Sequence, residues 1–418
     1  MRELLDDLGE RYDLHVYVRE SDMEFVTEKY TVHNLSDYPR SPWFRLLTAI
    51  YEYTGALPTK EKYYIDYSQR KIDRISSRIT RWRLELKLRL RRFFPLQLKY
   101  SRFLKWLARD YPSLSEYDVF FGVTDVVDDQ LYADVIHQGI PFYIYIVSWD
   151  HPPKFTRFLQ EEATYLVWGE EMANDMNIFH RVSLRNSLVV GAGQFNRLYE
   201  FIQEATNDTG GKPPTDYIYY IGTFGYDKLV KQELVVIKST CELLRKIAPE
   251  IKVVFRPYPL LAKQGFYEEL EKIDNLEFDS YSPVSRSTLF EVEDLEEKYH
   301  TIKNAKAVIH MGTTMGLEAA LLDVPVVCFN GKAFDDKEVR LTSRLSTSYF
   351  QWHLSKYLLL DEFESVVNNY EALENVLVKI LKGNYDYSYN EKLKSWVDVS
   401  GRSGFRKHFY DLIELSAQ

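Results

Sequence analysis

Cysteine and long apolar segments are both scarce in this chain. Its 418 residues include only two cysteines, Cys241 and Cys328, and no C-x-x-C pair typical of thiolate metal sites. Disulfide frameworks and thiolate zinc sites are therefore disfavoured, and a reducing, cytoplasmic setting is predicted. No apolar run approaches the roughly 20 residues of a membrane span, and the charged start of the chain differs from a secretory signal peptide.

Several catalytic signatures are absent as well. The sequence lacks the H-x-x-x-H and H-E-x-x-H spacings of metal sites, the G-x-x-x-x-G-K-[ST] phosphate loop, the G-x-S-x-G nucleophile turn and the kinase motif set. His310 and His353 are each isolated in the sequence. We therefore predict no metal site.

Apolar and aromatic residues are plentiful, at 45 % and 15 % of the chain. This content is too high for a disordered protein, because so much apolar surface drives the chain to form a core. A chain of this length is predicted to form two domains, each with a core of its own.

Charge is unevenly distributed along the sequence. The whole chain has 53 basic and 62 acidic residues and a net charge of −9, whereas residues 70–109 hold 14 basic residues against 2 acidic ones, a local charge of +12. The acidic remainder argues against general nucleic-acid binding. The basic segment predicts an anionic membrane surface as a partner, although solvated helix faces explain it equally well. The predicted membrane contacts are Arg81, Trp82, Arg83, Arg91, Arg92, Phe93 and Phe94, with Trp106 as a further apolar contact.

Strand-like runs alternate with helical patterns through most of the chain. This alternation predicts an α/β fold with parallel sheets and ligand sites at the carboxyl ends of the strands. A stretch rich in Gly and Pro at 207–216 is the best candidate for a linker. We predict an N-terminal Rossmann-like domain over 1–206, with a basic helical insertion at about 58–110, and a C-terminal domain over 217–389. Residues 390–418 are predicted to form helices that cross back to the N-terminal domain.

The segment His310–Phe329 carries the most informative pattern. A strand ends near Gly312, two threonines follow, and then come a helix and a second strand. Amide groups and the dipole of such a helix start suit a diphosphate, and Thr313 and Thr314 add hydroxyl donors. Glu318 lies about one helical turn further on, in position to accept a hydrogen bond from a ribose hydroxyl. The alternative is an ordinary capped helix with a surface glutamate.

Two further strand ends in the C-terminal half carry candidate phosphate ligands. Arg256 directly follows an apolar strand, where a guanidinium can pair bidentately with phosphate; the alternative is a surface arginine before a proline turn. Gly222, Thr223 and Lys228 follow the preceding strand, and the glycine lets backbone amides approach a phosphate. Glycine loops of this kind are common, so the pattern is weak by itself.

In the N-terminal half, Asp150 and His151 follow a buried strand and precede two prolines. Either side chain can act as a general base towards an acceptor hydroxyl. The alternative is an aspartate that only stabilises the turn before the prolines.

Taken in order, these motifs resemble those of nucleotide-sugar transferases of the glycosyltransferase-B fold. The similar group makes bacterial surface carbohydrates and is related to glycerophosphotransferases and to non-hydrolysing sugar 2-epimerases. The resemblance spans residues 1–385, and the spacing of its segments is more telling than any one of them. These segments are Ser148–Asp150, Leu166–Glu171, Val189–Phe195, Phe255–Pro259, Thr301–Phe329 and Phe350–Leu354.

The resemblance implies two Rossmann-like domains that face a central cleft, with the nucleotide bound by the C-terminal domain and the acceptor presented by the N-terminal one. It implies Asp150 as the catalytic base, with His151 as the runner-up. Members of this fold usually need no bound metal, since helix dipoles and basic side chains stabilise the leaving diphosphate. The donor-site residues it implies are Gly312, Thr313 and Thr314 for the diphosphate, Glu318 for the ribose, and Arg256 and His353 for the cleft lining.

Three positions depart from the pattern of the similar proteins. A strand and a glycine turn usually precede the helix that here starts at Met1, which places part of the acceptor side in question. Tyr258 replaces a histidine that relatives often have in the Arg-Pro-x-Pro motif, so a cationic side chain is lost. His151 stands where Asn often follows Ser-Trp-Asp, a change that affects the base or the choice of acceptor.

The sequence therefore predicts a metal-independent glycosyltransferase without a cofactor. It would move a sugar, or a sugar-like phospho group, from a nucleotide diphosphate donor to a glycan or lipid-linked acceptor in cell-surface polysaccharide synthesis. We expect it in the cytoplasm, peripheral to the inner face of the membrane if the basic segment binds lipid. The first alternative is a nucleotide-sugar 2-epimerase, although no acid–base pair of carboxylates is evident. The second is a non-catalytic nucleotide-sugar-binding subunit of a membrane-associated assembly.

Overall fold

The structure is a computed structural model, and it describes most of the chain. The described residues are 2–25, 29–59, 61–73, 75–94, 96–111, 114–207, 216–222, 227–258, 268–279, 292–330, 361–397 and 404–416. They divide into two compact units, the first made of Met1–Asn196 and Asp398–Gln418 and the second of Arg197–Val397.

Helices and strands alternate along both units. The helices are α1 (Arg2–Arg11), α2 (Phe44–Thr54), α3 (Glu61–Asp73), α4 (Arg78–Phe93), α5 (Tyr100–Leu107), α6 (Asp129–His137), α7 (His151–Lys154), α8 (Glu170–His180), α9 (Asn196–Asn207), α10 (Asp227–Ile247), α11 (Val292–Asn304), α12 (Thr314–Leu321), α13 (Tyr370–Leu381), α14 (Ser388–Lys394) and α15 (Gly404–Ser416). The strands are β1 (His15–Val18), β2 (Thr31–Asn34), β3 (Phe120–Val123), β4 (Phe142–Tyr145), β5 (Thr164–Val167), β6 (Ser187–Val189), β7 (Tyr217–Ile221), β8 (Lys252–Arg256), β9 (Leu276–Phe278), β10 (Ala307–His310), β11 (Val326–Phe329) and β12 (Val366–Val367).

The strands of the described residues form three sheets, and each strand pair within them is parallel. The first unit has a two-stranded sheet, β1-β2, and a four-stranded sheet ordered β3-β4-β5-β6, whereas the second unit has a six-stranded sheet ordered β12-β11-β10-β7-β8-β9. The predicted α/β class with two Rossmann-like parallel sheets is therefore confirmed. Apolar strands such as β10 and β11 are buried along their full length, as expected for strands covered on both faces.

The basic segment is helical, although its alternation of charged and apolar residues over 83–91 also fits a strand. Ser77 begins α4 by accepting a hydrogen bond from the Thr80 amide, and α4 packs against α2 and α3. Packing on both neighbours selects the helix, because it buries one side of α4. None of the helices in the described ranges is both long and apolar enough to cross a bilayer.

The unit boundaries differ from the predicted ones. Helix α9 was expected to end the first domain, but it packs in the second unit, where the Phe201 and Tyr299 rings lie 5.6 Å apart. Asn390 also belongs to the second unit, and its amide donates a 2.7 Å hydrogen bond to the Val324 carbonyl. Helix α15 belongs to the first unit, where the ring centroids of Phe409 and Phe121 lie 4.5 Å apart. The division therefore falls after Asn196 and after Val397, not at the predicted positions 206 and 389.

Candidate functional site

In the six-stranded sheet of the second unit, the order of the strands reverses between β7 and β10. Across the sheet from β9 to β12, with the strands numbered by their order along the chain, the order is 3-2-1-4-5-6. The connections that leave β7 and β10 therefore lead to opposite sides of the sheet. His310 at the end of β10 pairs with Ile221 at the end of β7. In parallel α/β sheets, ligands bind outside the carboxyl ends of the strands at such a reversal. Gly222 and the segment 311–314 follow these two strand ends directly.

His310 organises the turn between β10 and α12. Its Nδ1 accepts hydrogen bonds from the amides of Gly312, at 2.9 Å, and Thr313, at 3.1 Å. The proton of the neutral ring therefore lies on Nε2. Burial lowers the pKa of His310 to about 3, so the ring stays uncharged in the folded protein. Sequence reasoning treated His310 as an isolated residue and missed this role.

Two glycines make room for this arrangement. Gly312 has φ +97°, in the left-handed region that glycine favours. A Cβ on Gly316 would lie 2.6 Å from both Cε1 and Nε2 of the His310 ring. The pattern of a strand-end His followed by Gly at positions two and six later is the sequence signal that could have revealed the histidine as the cap of the turn.

The predicted diphosphate site is therefore built differently from expectation. The amides of Gly312 and Thr313, which were expected to bind phosphate, are already bonded to His310. Thr313 and Thr314 stand at the start of α12, where the helix dipole has its positive end. Thr313 is the N-cap residue, and its own side chain makes no capping hydrogen bond.

Glu318 lies on the first turns of α12 and forms an ion pair with Lys298 of α11. The Lys298 Nζ is 3.0 Å from Oε1 and 2.9 Å from Oε2 of Glu318. Both side chains are about one-tenth exposed, at 11 % and 10 %. Burial, and then the negative charge of Glu318, raises the pKa of the adjacent Tyr299. Lys298 was missed from the sequence because nothing in its local pattern shows which helix it will face.

Arg256 occupies the end of β8, as predicted, but its guanidinium is buried in a polar network. Nη1 lies 2.9 Å from Oδ2 of Asp279 and 3.2 Å from the Tyr219 hydroxyl, which itself donates to Asp279. Arg256 is only 5 % exposed. A buried guanidinium needs a counter-charge, and Asp279 supplies it. The described contacts therefore give Arg256 a structural role, and its predicted pairing with phosphate stays a prediction.

Gly222 joins β7 to the turn after β8. Its amide donates a 2.8 Å hydrogen bond to the Arg256 carbonyl, and an added Cβ would lie 2.8 Å from the Tyr258 amide nitrogen. This amide is therefore used within the fold, contrary to the expectation that it would bind phosphate. Thr223 and His353 lie outside the described residues, and Lys228 lies in α10 with a side chain that is not described.

In the first unit, the predicted base Asp150 lies just before α7 and is 3 % exposed. Its Oδ1 accepts a 2.6 Å hydrogen bond from the Ser148 hydroxyl, and its Oδ2 forms an ion pair with Lys154. Both oxygens of this carboxylate therefore already have a partner within the fold. The geometry is that of a structural aspartate at a helix start, the alternative considered from the sequence.

His151 has a polar group near each ring nitrogen, and one of the two is a carboxylate. Its Nδ1 is 2.7 Å from the Thr124 hydroxyl, and its Nε2 is 3.5 Å from Oδ1 of Asp125. The ring packs edge-on against Phe155 at 4.6 Å. Thr124 and Asp125 directly follow β3, the neighbour of β4 in the sheet. Sequence reasoning missed both residues, although their place after a strand is the same signal that identified His151.

Two of the predicted membrane contacts are structural instead. Arg91 is 8 % exposed and donates to the carbonyls of Gly55 and Ala56, both at 2.9 Å, and to the Tyr64 hydroxyl. Arg81 donates to the Ile75 carbonyl at 2.7 Å. Arg91 is therefore wrong as a lipid contact, because it caps carbonyls at the end of α2.

Among the described residues, no three His, Cys, Asp or Glu side chains come together as metal ligands would. This finding covers only that part of the chain. The absence of a metal requirement stays a prediction.

No family model and no curated protein sequence matches this chain. Solved structures with a distantly similar fold include S. aureus MnaA and two UDP-GlcNAc 2-epimerases. S. aureus MnaA bound to UDP shares 11 % identity over 100 % of this chain and 93 % of its own, with a TM-score of 0.46. The UDP-GlcNAc 2-epimerase of Methanocaldococcus jannaschii, with UDP-GlcNAc and UDP, shares 14 % identity over 71 % and 75 %, with a TM-score of 0.43. That of Neisseria meningitidis, bound to UDP-GlcNAc, shares 10 % identity over 85 % and 96 %, with a TM-score of 0.42.

Proposed function

We propose that the second unit binds the nucleoside diphosphate of a nucleotide sugar at the carboxyl ends of β7 and β10. The observation that carries this proposal is the reversal of strand order between these two strands. The start of α12 follows β10 at the same edge of the sheet, so its dipole would favour a diphosphate there, and Thr313 and Thr314 would contribute hydroxyl donors.

The pair formed by Lys298 and Glu318 supports the same site. An ionised carboxylate has about four acceptor positions, and one ammonium group does not occupy them all. Glu318 can therefore accept from the ribose hydroxyls while Lys298 balances its charge in a mostly buried position. A nucleotide needs both kinds of group, because its diphosphate is anionic and its ribose donates hydrogen bonds.

The first candidate reaction is 2-epimerisation of the bound nucleotide sugar. Glycosyl transfer was the primary expectation, but its base, Asp150, is held by Ser148 and Lys154. Epimerisation needs no acceptor. Enzymes named as UDP-GlcNAc 2-epimerases are among the distantly similar structures.

Glycosyl transfer is the second candidate, with His151 as the base. The contacts of His151 with Thr124 and Asp125 favour it, because a carboxylate near one ring nitrogen stabilises the imidazolium that forms when a base takes a proton. The acceptor would be a glycan or a lipid-linked sugar.

Titration calorimetry with UDP and UDP-GlcNAc tests the donor site. Glu318→Gln removes the charge but keeps the shape, and it should weaken nucleotide binding about tenfold, the loss of one charge-assisted hydrogen bond. Glu277→Gln is the matched control, since Glu277 also pairs with a lysine of the second unit but is 55 % exposed. Equal affinities in the wild type and in Glu318→Gln would contradict the assignment.

Product analysis separates the two reactions. An epimerase converts the nucleotide sugar in the absence of any acceptor, and a transferase releases nucleotide only when an acceptor is added. His151→Asn should abolish transfer while leaving donor affinity unchanged. Tight binding of nucleotide sugars without turnover under either condition would favour the non-catalytic subunit.

A further inference from the structure

Helix α4 has apolar residues on two sides, and only one side is packed. Leu88 and Arg91 are buried, at 9 % and 8 % exposure, where α4 meets its neighbours. A second set recurs at spacings of three and four, which places its members on one face of the helix. We call this set the exposed stripe, and its members are Ile79, Trp82, Leu86, Leu90 and Phe93.

The exposed stripe is open to solvent along the length of α4. Ile79 is 74 % exposed, Trp82 62 %, Leu90 42 % and Phe93 75 %, while Leu86 is half-buried. Single exposed apolar residues are ordinary on protein surfaces, whereas four exposed apolar residues on one face of a helix are typical of an interaction surface. Phe94 and Leu96 extend the apolar surface beyond the end of the helix, at 39 % and 79 % exposure.

Arginines border the exposed stripe. Arg78, Arg83, Arg89 and Arg92 are exposed and stand one residue away from members of the stripe in the sequence. Glu85 is the one acidic residue of α4. The guanidinium of Arg92 also lies 5.5 Å from the centre of the Phe93 ring. An apolar row with cations beside it matches the boundary between the acyl chains and the phosphates of an anionic bilayer.

We propose that α4 lies flat on an anionic lipid surface, with the exposed stripe inserted at the interface and the four arginines on the lipid phosphates. Trp82 suits this depth, because tryptophan favours the membrane interface. A second copy of the chain fits less well, since pairing two such helices would bring their arginine rows together. The inference does not depend on the proposed nucleotide site, as it uses a different unit of the protein.

Co-sedimentation of the full chain with lipid vesicles tests the proposal. We expect binding to vesicles of phosphatidylglycerol and phosphatidylcholine, little binding to phosphatidylcholine alone, and a loss of binding as salt is raised. Trp82→Ser combined with Phe93→Ser should reduce partitioning at least about tenfold, because two large apolar side chains no longer insert. Arg83→Gln combined with Arg89→Gln should reduce it about 25-fold and flatten the salt dependence, because each arginine contributes about fivefold.

A matched control is available in the same unit. Leu184 is 53 % exposed and stands next to the exposed Arg185, so Leu184→Ser combined with Arg185→Gln removes the same types of group elsewhere. This variant should bind vesicles like the wild type, and circular dichroism should show native helix content in all variants. Absence of binding at low salt, or equal loss in the control, would overturn the proposal. A concentration-dependent dimer abolished by Trp82→Ser and Phe93→Ser, without vesicle binding, would show instead that a second copy covers the stripe.

Discussion

The two main sheets of this protein are both parallel, yet they order their strands differently. The four-stranded sheet of the first unit keeps chain order from β3 to β6, whereas the six-stranded sheet of the second unit reverses between β7 and β10. A reversal separates the connections that leave two adjacent strands, and that opening is where ligands bind. The proposed function therefore places the nucleotide in the second unit, while in the first unit the strand-end side chains contact one another.

The two units also differ in the polar contacts at the ends of their strands. In the first unit, Thr124 and Asp125 after β3 contact His151 after β4, so polar groups of neighbouring strand ends meet directly. In the second unit, His310 turns back onto the amides that follow it and fixes the start of α12. The first arrangement suits proton transfer, and the second suits a rigid helix end that presents its dipole to an anion.

The largest effect on stability is expected from the loss of Asp279, the ion-pair partner of Arg256. This variant tests whether Arg256 stabilises the fold or binds phosphate. Asp279→Asn leaves the guanidinium buried without its counter-charge, so the free energy of unfolding should fall by about 3 kcal/mol in denaturant titrations. Glu277→Gln breaks an exposed pair with Lys252 and should cost at most about 1 kcal/mol. If Asp279→Asn is as stable as the wild type but binds UDP more tightly, Arg256 is a phosphate ligand and the structural assignment is wrong.

A smaller loss of stability, together with loss of binding, is expected at Gly316. Gly316→Ala places a Cβ against the fully buried His310 ring, and the resulting overpacking should cost about 2 kcal/mol. Since the ring holds the start of α12, UDP affinity measured by calorimetry should fall more than about tenfold. Gly139→Ala is the control in the first unit, because its φ of +72° makes alanine strained while nothing lies within 4 Å. It should cost about 1 kcal/mol and leave UDP affinity unchanged.

Buried histidines in both units should make the protein less stable as the pH falls. Burial lowers the pKa of His310 to about 3 and of His180 to about 4, below the usual 6.5. The unfolded chain therefore binds a proton in a range where the folded chain does not. The contribution of each histidine to the free energy of unfolding is complete above about pH 6.5. It falls by about 1.4 kcal/mol per pH unit as the pH drops towards the pKa of that histidine in the folded protein.

Denaturant titrations at pH 7 and pH 5.5 measure this effect. Both His310→Gln and His180→Gln should reduce the loss of stability between pH 7 and pH 5.5. His310→Gln should also weaken UDP binding, whereas His180→Gln in the first unit should leave UDP binding intact. Identical pH dependence in the wild type and both variants would show that neither histidine is kept neutral by the fold.

Much of the secondary structure could be predicted from the sequence because the strands are continuous apolar runs. The apolar runs Tyr217–Ile221 and Ala307–His310, for example, form strands over their whole length. Short strands such as β9 and β12 were not predicted, because three or two residues carry too little pattern. The strand order that locates the site was also beyond reach, since it depends on contacts between distant segments.

The strand ends that carry the candidate residues were predicted from the sequence, but the hydrogen bonds and ion pairs of those residues were not. Gly312 and Gly222 were recognised as turn residues, yet their amides bond within the fold. Lys298 and Asp279 were missed because their importance comes from a partner 20 residues away for Lys298 and 23 for Asp279. Local spacing reveals where a strand ends, but only the packed structure shows which charges neutralise each other.

Hydrogen exchange measured with and without UDP tests the central claim most directly. If the nucleotide binds at the reversal in the second unit, exchange should slow over residues 311–318, at the end of β10 and the start of α12. It should stay unchanged over residues 146–154 of the first unit. Saturating UDP that slows exchange only in the first unit, or nowhere in 311–318, would contradict the assignment of the nucleotide to the second unit.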